Sequence, residues 1–180
     1  MIKDIIITIP LTDQHRDVKD KNWKKKSCAI CSTKMMMTFG NRKHMGIDIG
    51  GLIEEARRMG GYLEGIGWKH KTITDLARRY GHKLSFIKKF PKTPLEKSKW
   101  LKKLEKNIVQ GKPIMASVHL KFNKKNNGHM VVINGIRKDG KLILGYHVQD
   151  PDHRFRSNNY YISKDQFLLG WRGGMIYFAK

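Results

Sequence analysis

The sequence is poor in cysteine, proline, acidic residues and long apolar runs. Its 180 residues include 2 Cys, 5 Pro and 15 Asp or Glu, against 37 Lys or Arg. Two cysteines cannot build a disulfide framework, which excludes the small secreted scaffolds, and one bridge between Cys28 and Cys31 would staple almost nothing. No stretch approaches the roughly 20 apolar residues that a bilayer-crossing helix needs. The first apolar run, Ile5 to Ile9, is broken by Thr8 and closed by Pro10. Neither a transmembrane helix nor a signal peptide is expected, so a cytoplasmic location is the default. A chain of this length buries about 70% of the surface its unfolded form exposes, enough for a core without cross-links or metal. One domain is expected over residues 1–180, with no metal and no cofactor.

The shortage of acid leaves a formal charge of +22. Such a field attracts any polyanion, whether nucleic acid, anionic lipid or an acidic polymer. The cations are 27 Lys against 10 Arg and are scattered along the chain. Bidentate recognition of bases or phosphates favours the planar Arg fork. A solvated lysine-rich surface with non-specific polyanion contact therefore fits better than a sequence reader. Its densest runs are Lys24 to Lys26 and the lysines from Lys97 to Lys106.

Apolar spacing and glycine punctuation divide the chain. Ile5 to Ile9 reads as an edge strand. Cys31, Met35 and Phe39 form one face of a helix from Cys28 to Phe39, with Gly40 placed to stop it. Further helices are expected over Asp48 to Met59 and Thr72 to Tyr80. Thr93-Pro94-Leu95-Glu96 is a capping box with Pro at the first helical position, continued by Leu101, Leu104 and Ile108 to Gly111. After Gly111 the texture turns to strands, at Pro113 to Leu120, Met130 to Ile136, Leu142 to Val148 and Met175 to Phe178. Helices first and sheet last imply an α+β fold.

The hairpin between the second and third of these strands carries Asp139-Gly140, a strong signal for a two-residue type I′ turn. With Lys138 opposite Lys141, the ladder places His129 opposite Asp150, with Cβ atoms about 4.5 to 5.5 Å apart. A single bulge would move the partner of His129 to Gln149 or Pro151. Cys28 lies at a helix N-terminus after three lysines, and both features stabilise a thiolate. Cys31, on the apolar face, reads as a small buried hydrophobe. Cys28-Ala29-Ile30-Cys31 is also a Cys-X-X-Cys, open to disulfide exchange or half a zinc site. A charged loop precedes it where a redox motif wants a strand, and no tight His pair completes a zinc set.

Several segments occur together in a telling order: Ile9-Pro10-Leu11 with Gln14, Ser27-Cys28-Ala29-Ile30-Cys31-Ser32 leading to Met35-Met36-Met37-Thr38-Phe39-Gly40, Gly128-His129-Met130-Val131-Val132-Ile133-Asn134-Gly135, and Asp150-Pro151. The ordered set resembles the papain-like cysteine peptidases of the bacteriocin-processing (double-glycine leader) type and their stand-alone relatives, from about Ile9 to Trp171. Ala29-Ile30 stands where that family commonly has Gly-Pro.

The resemblance implies a papain-like cysteine proteinase fold, with a helical N-terminal lobe at about 12–110 and an antiparallel β-sheet lobe at about 111–180. It implies Cys28 as nucleophile, His129 as general base and acid, and Asp150 as the residue orienting the imidazole. Gln14, with the backbone N–H of Cys28, would donate to the oxyanion; Asn22 is the alternative donor. The expected activity is hydrolysis of a peptide or amide bond in a peptide or protein substrate, through a thioester and without metal. The competing expectation is a catalytically silent module of the same fold that binds nucleic acid or another polyanion. Trp68, Trp100, Trp171 and Tyr177 are open to either core or subsite roles.

Overall fold

In a computed structural model of the chain, residues 1–87, 91, 93–154 and 157–179 are described. In chain order the elements are β1 (Ile2–Ile6), α1 (Lys21–Lys24), α2 (Cys28–Gly40), α3 (Ile49–Arg58), β2 (Tyr62–Leu63), β3 (Gly67–Trp68), α4 (His70–Arg79), β4 (Leu84–Ile87), α5 (Pro94–Val109), β5 (Ile114–His119), β6 (Gly128–Asp139), β7 (Leu142–Gln149), β8 (Asn159–Ser163), α6 (Lys164–Gly170) and β9 (Trp171–Phe178).

The four longer helices fall within two residues of their expected spans; α3 and α5 carry side-chain caps that the sequence states openly, whereas Ser27 and Lys69 before α2 and α4 make no side-chain capping hydrogen bond. Thr93 Oγ1 accepts from the Glu96 N–H at 3.2 Å, with Pro94 in the first turn of α5. Asp48 caps α3 by accepting from the Gly51 N–H at 2.7 Å. The ends differ in cause. Gly111 after α5 is left-handed (φ 73°), as a glycine stop requires. Gly40 instead lies inside the last turn of α2, and a Cβ there would come within 2.7 Å of the His82 ring. Close approach of His82, not a left-handed turn, selects that glycine.

Seven strands form one antiparallel sheet in the order β4-β9-β5-β6-β7-β8, and β1 pairs with β6 alongside that path. Two of these strands, β1 and β4, come from before residue 111. β5 partners β6 over Gly128–Ile133 and β1 partners it over Gly135–Asp139. Ile114 to Val118 are buried without interruption, the mark of a strand covered on both faces. Both α2 and α5 pack on it.

The β6–β7 hairpin departs from the expected register. Asp139 pairs with Leu142, so Gly140 and Lys141 form the turn. Only Gly140 has a positive φ (55°), the sign pattern of a II′ rather than a I′ turn. Two bulges follow. Asn134 is skipped between the pairs Ile133–Val148 and Gly135–His147, and Leu144 between Arg137–Gly145 and Lys138–Ile143. They lie on opposite strands and offset one another. The last pair is Val132–Gln149, so continuing the ladder sets Val131 beside Asp150. His129 is therefore two residues further along the same face, and it meets Asp150 diagonally instead of directly.

Candidate active site

Cys28 is the first residue of α2 and is partly exposed. The helix start is held by packing: Ile30 and Cys31 have 0% exposure, and the Ser32 hydroxyl donates to the Met130 carbonyl of β6 at 3.2 Å. That bond fastens the helix to the strand that carries His129. Ala29-Ile30 is fully packed, so the positions that differ from Gly-Pro are filled, not strained. The two cysteines are sharply distinct. Cys31 Sγ points to Ser27 Oγ at 3.8 Å, and burial pushes its thiol far above the ordinary range. This is the environment of an inert core thiol.

His129 is buried (6% exposed), hydrogen-bonded to Asp150, and close enough to Cys28 for the sulfur to favour a charged ring. Its Nε2 lies 2.6 Å from Asp150 Oδ1, which leaves Nδ1 as the ring nitrogen not engaged by the carboxylate. Burial opposes the ring's charge, but Asp150 and Cys28 outweigh it and raise the pKa of His129 from 6.5 to about 10. Asp150 is itself held from several directions. Its Oδ1 also accepts from the Asp152 N–H (2.9 Å), its Oδ2 accepts from the Tyr160 hydroxyl (2.9 Å), and its N–H donates to the Asn158 carbonyl (2.7 Å). Tyr160 arrives from β8, opposite Val148. A lone Tyr in a strand gives no sequence signal of this role.

Gln14 is buried (1% exposed) in a loop whose fastening joins it to the turn that carries Asp150. Its N–H donates to the Pro151 carbonyl at 2.9 Å. Asp13 accepts from the N–H groups of His15 and Arg16 (2.7 and 3.0 Å) and from Asn158 Nδ2 (3.0 Å), and it pairs with His153. The same Asn158 Nδ2 donates to the Asp150 carbonyl at 2.9 Å. Asn22, by contrast, is exposed on α1. Of the two candidate oxyanion donors, only Gln14 is enclosed.

Beside Cys28, Trp68 Nε1 donates to the Lys26 carbonyl at 2.6 Å, and Trp23, Tyr62 and Trp68 form a cluster with ring centroids 5.0 to 5.6 Å apart. A pocket of about 110 Å³ lies between this corner and strands β5 and β9, lined by Leu63, Ile66, Trp68, Ser117, Arg172 and Gly174. Trp171 is buried in the core, stacked on Phe167. Among the described residues no helix is long and apolar enough to cross a membrane.

Comparison with known proteins places the fold and the family. A putative C39-like peptidase from Bacillus anthracis superposes with a TM-score of 0.67 at 16% identity, over 99% of this chain and 98% of that one. A double glycine motif protease from an AMS/PCAT transporter, solved with a leader peptide, gives 0.57 at 14% identity, over 97% and 94%. The peptidase domain of Streptococcus ComA gives 0.55 at 18% identity, over 86% and 92%. These likenesses establish the α+β papain-like fold. A search of curated proteins returned no match. The profile of the Peptidase_C39-like family matches residues 6–173, nearly the whole chain. The chain belongs to that family, and is by membership a cysteine-type peptidase, a hydrolase of peptide bonds.

Proposed function

We propose that Cys28, His129 and Asp150 act as a catalytic triad that cleaves a peptide through a thioester, with Gln14 and the Cys28 N–H receiving the oxyanion. The observation that carries this reading is the buried His129 ring, bonded to Asp150 through Nε2 at 2.6 Å and raised in pKa by both Asp150 and Cys28. His129 takes the thiol proton, and the sulfur attacks the scissile carbonyl carbon. A C–S bond forms and the carbonyl oxygen becomes an anion beside its donors. As the intermediate collapses the C–N bond breaks, and the leaving amine takes the proton from the imidazolium. Water, deprotonated by the same ring, then attacks the thioester, releasing the acid and restoring the thiol. Asp150 keeps the imidazole in the tautomer and orientation that both steps need.

The pocket lined by Leu63, Ile66 and Trp68 suits a small apolar substrate side chain. One solved neighbour is a double glycine motif protease in complex with a leader peptide, so a fluorogenic peptide ending in Gly-Gly-aminomethylcoumarin is the first probe. Iodoacetamide at mildly acidic pH, followed by peptide mapping, is expected to modify Cys28 far ahead of Cys31, and Cys28→Ala is expected to abolish cleavage of the probe. Equal, slow labelling of both thiols would end the proposal.

A second reading concerns surface charge. Lys99, Lys102 and Lys106 are exposed along α5, with Lys112 just beyond it. This face suits non-specific contact with a polyanion. Retention on heparin should then fall steeply with salt and be unaffected by Cys28→Ala.

A further inference from the structure

Gln14 presents a problem in hydrogen bonding that its neighbours solve in only one way. Its Nε2 lies 3.3 Å from His15 Nε2, while its Oε1 is buried with no partner among the described residues. The same His15 nitrogen lies 3.1 Å from Asp152 Oδ1. Asp152 is 4% exposed and gripped by Arg154, whose Nη2 donates to Oδ2 at 2.7 Å and whose Nε donates to Oδ1 at 2.9 Å. Burial works against the Asp152 charge, but Arg154 outweighs it and holds the carboxyl below its usual range. A carboxylate in that position demands a proton on His15 Nε2. Burial also lowers the pKa of His15, so at neutral pH the ring carries one proton, and Asp152 fixes which nitrogen has it.

An N–H directed at the NH2 of Gln14 would oppose donor to donor. A bare nitrogen would instead oppose its lone pair to a carboxylate. A half-turn of the carboxamide, which preserves its shape, removes both conflicts. The Gln14 oxygen then accepts from His15 N–H, which it shares with Asp152. The NH2 moves to the buried side where the oxygen had no partner. A buried polar group left without a partner in an otherwise saturated network calls for an explanation. A donor held for an anion that exists only during the reaction supplies one.

We propose that His15, set by Asp152, is a positioning residue that turns the Gln14 carboxamide so that its NH2 faces the developing oxyanion. This rests on the reading of Gln14 as oxyanion donor. The site's specificity for the transition state then comes from a relay of Arg154, Asp152, His15 and Gln14, separate from the relay of Tyr160, Asp150 and His129.

The test compares His15→Phe, His15→Gln, Gln14→Ala and the His15→Phe/Gln14→Ala double variant on the Gly-Gly-aminomethylcoumarin probe, with Cys28 alkylation by iodoacetamide as a measure of an intact nucleophile. Gln14→Ala should lower kcat about 100-fold, within the range for loss of one oxyanion donor. His15→Phe should lower kcat about tenfold with KM and alkylation rate unchanged, and His15→Gln, which restores an N–H, should recover part of it. The double variant should be no slower than Gln14→Ala, because the two residues act through one amide. Multiplying effects in the double variant, or full kcat in His15→Phe beside a slow Gln14→Ala, would overturn the His15 assignment alone. Full kcat in Gln14→Ala with alkylation intact would overturn the oxyanion reading, and the His15 assignment with it. A collapse of alkylation in His15→Phe and His15→Gln alike would show a structural role and also overturn the assignment.

Discussion

On the helical wall of the site, Cys28 is placed by packing. Ile30, Cys31, Met35, Met36 and Met37 of α2 are wholly buried, and the side-chain bond from Ser32 to Met130 is one of few directional ties to the sheet. On the sheet wall, His129 and Asp150 are placed by direction: Asp150 alone is engaged by the His129 ring, the Asp152 N–H, the Tyr160 hydroxyl and Asn158. In the proposed roles, a nucleophile needs a fixed location, which close-packed volume provides. The base needs a fixed angle and proton, which hydrogen bonds provide. Substitutions should therefore damage the two walls in different currencies, stability on one side and turnover on the other.

The largest contrast is expected from Asp150→Asn, which keeps the volume but removes the charge that orients His129. A drop in kcat of about 10³- to 10⁴-fold is expected, in line with the same change in other triads, with little change in the thermal midpoint; steady-state kinetics and melting curves on the same sample check both. The pH profile sharpens this. Because His129 has a raised pKa in the folded protein, its proton stabilises the native state fully below the unfolded value near 6.5, and that contribution is lost as pH rises towards about 10. Activity should accordingly hold into the alkaline range and fall as pH approaches 10, and in Asp150→Asn the fall should move to lower pH.

Ile30→Ala should do the opposite. Emptying a site with 0% exposure at the start of α2 is expected to cost about 2–5 kcal/mol of stability, measured by denaturant titration. The kcat of the folded fraction should change far less than in Asp150→Asn; a loss of turnover at full stability would break the comparison. The smallest effect is expected from Tyr160→Phe, which removes one donor from Asp150 Oδ2. The loss should be several-fold in kcat, about 1 kcal/mol in the transition state, with the folded protein otherwise unchanged.

How much of this the sequence discloses follows from the range of each interaction. The starts of α3 and α5 are written in residues three positions apart, Asp48 with Gly51 and Thr93 with Glu96, so they were legible. The contrast between Cys28 and Cys31 was legible too, because helical spacing alone sends Cys31 inward. The association of His129 with Asp150 came from a register that was itself displaced: the turn sits one residue further on, and the bulges at Asn134 and Leu144 carry no local signature. The strands β4 and β8 and the helix α6 were not anticipated, since each is short and draws its definition from neighbours far along the chain. The fastening of the Gln14 loop to Pro151 and Asn158 spans more than 130 residues, and no pattern of spacing could have announced it.

The paired bulges of the β6–β7 hairpin bear on how this molecule can change its length. Ile133 and Gly135 pair with the adjacent residues Val148 and His147, so loss of Asn134 alone would leave a regular ladder with the same partners and keep His129 beside Asp150. Removing Leu144 alone would in the same way leave Arg137 and Lys138 opposite Gly145 and Ile143. A loss at a regularly paired position has no such outlet and would turn the residues beyond it to the opposite face, so the two bulges are where this ribbon can shorten without separating His129 from Asp150.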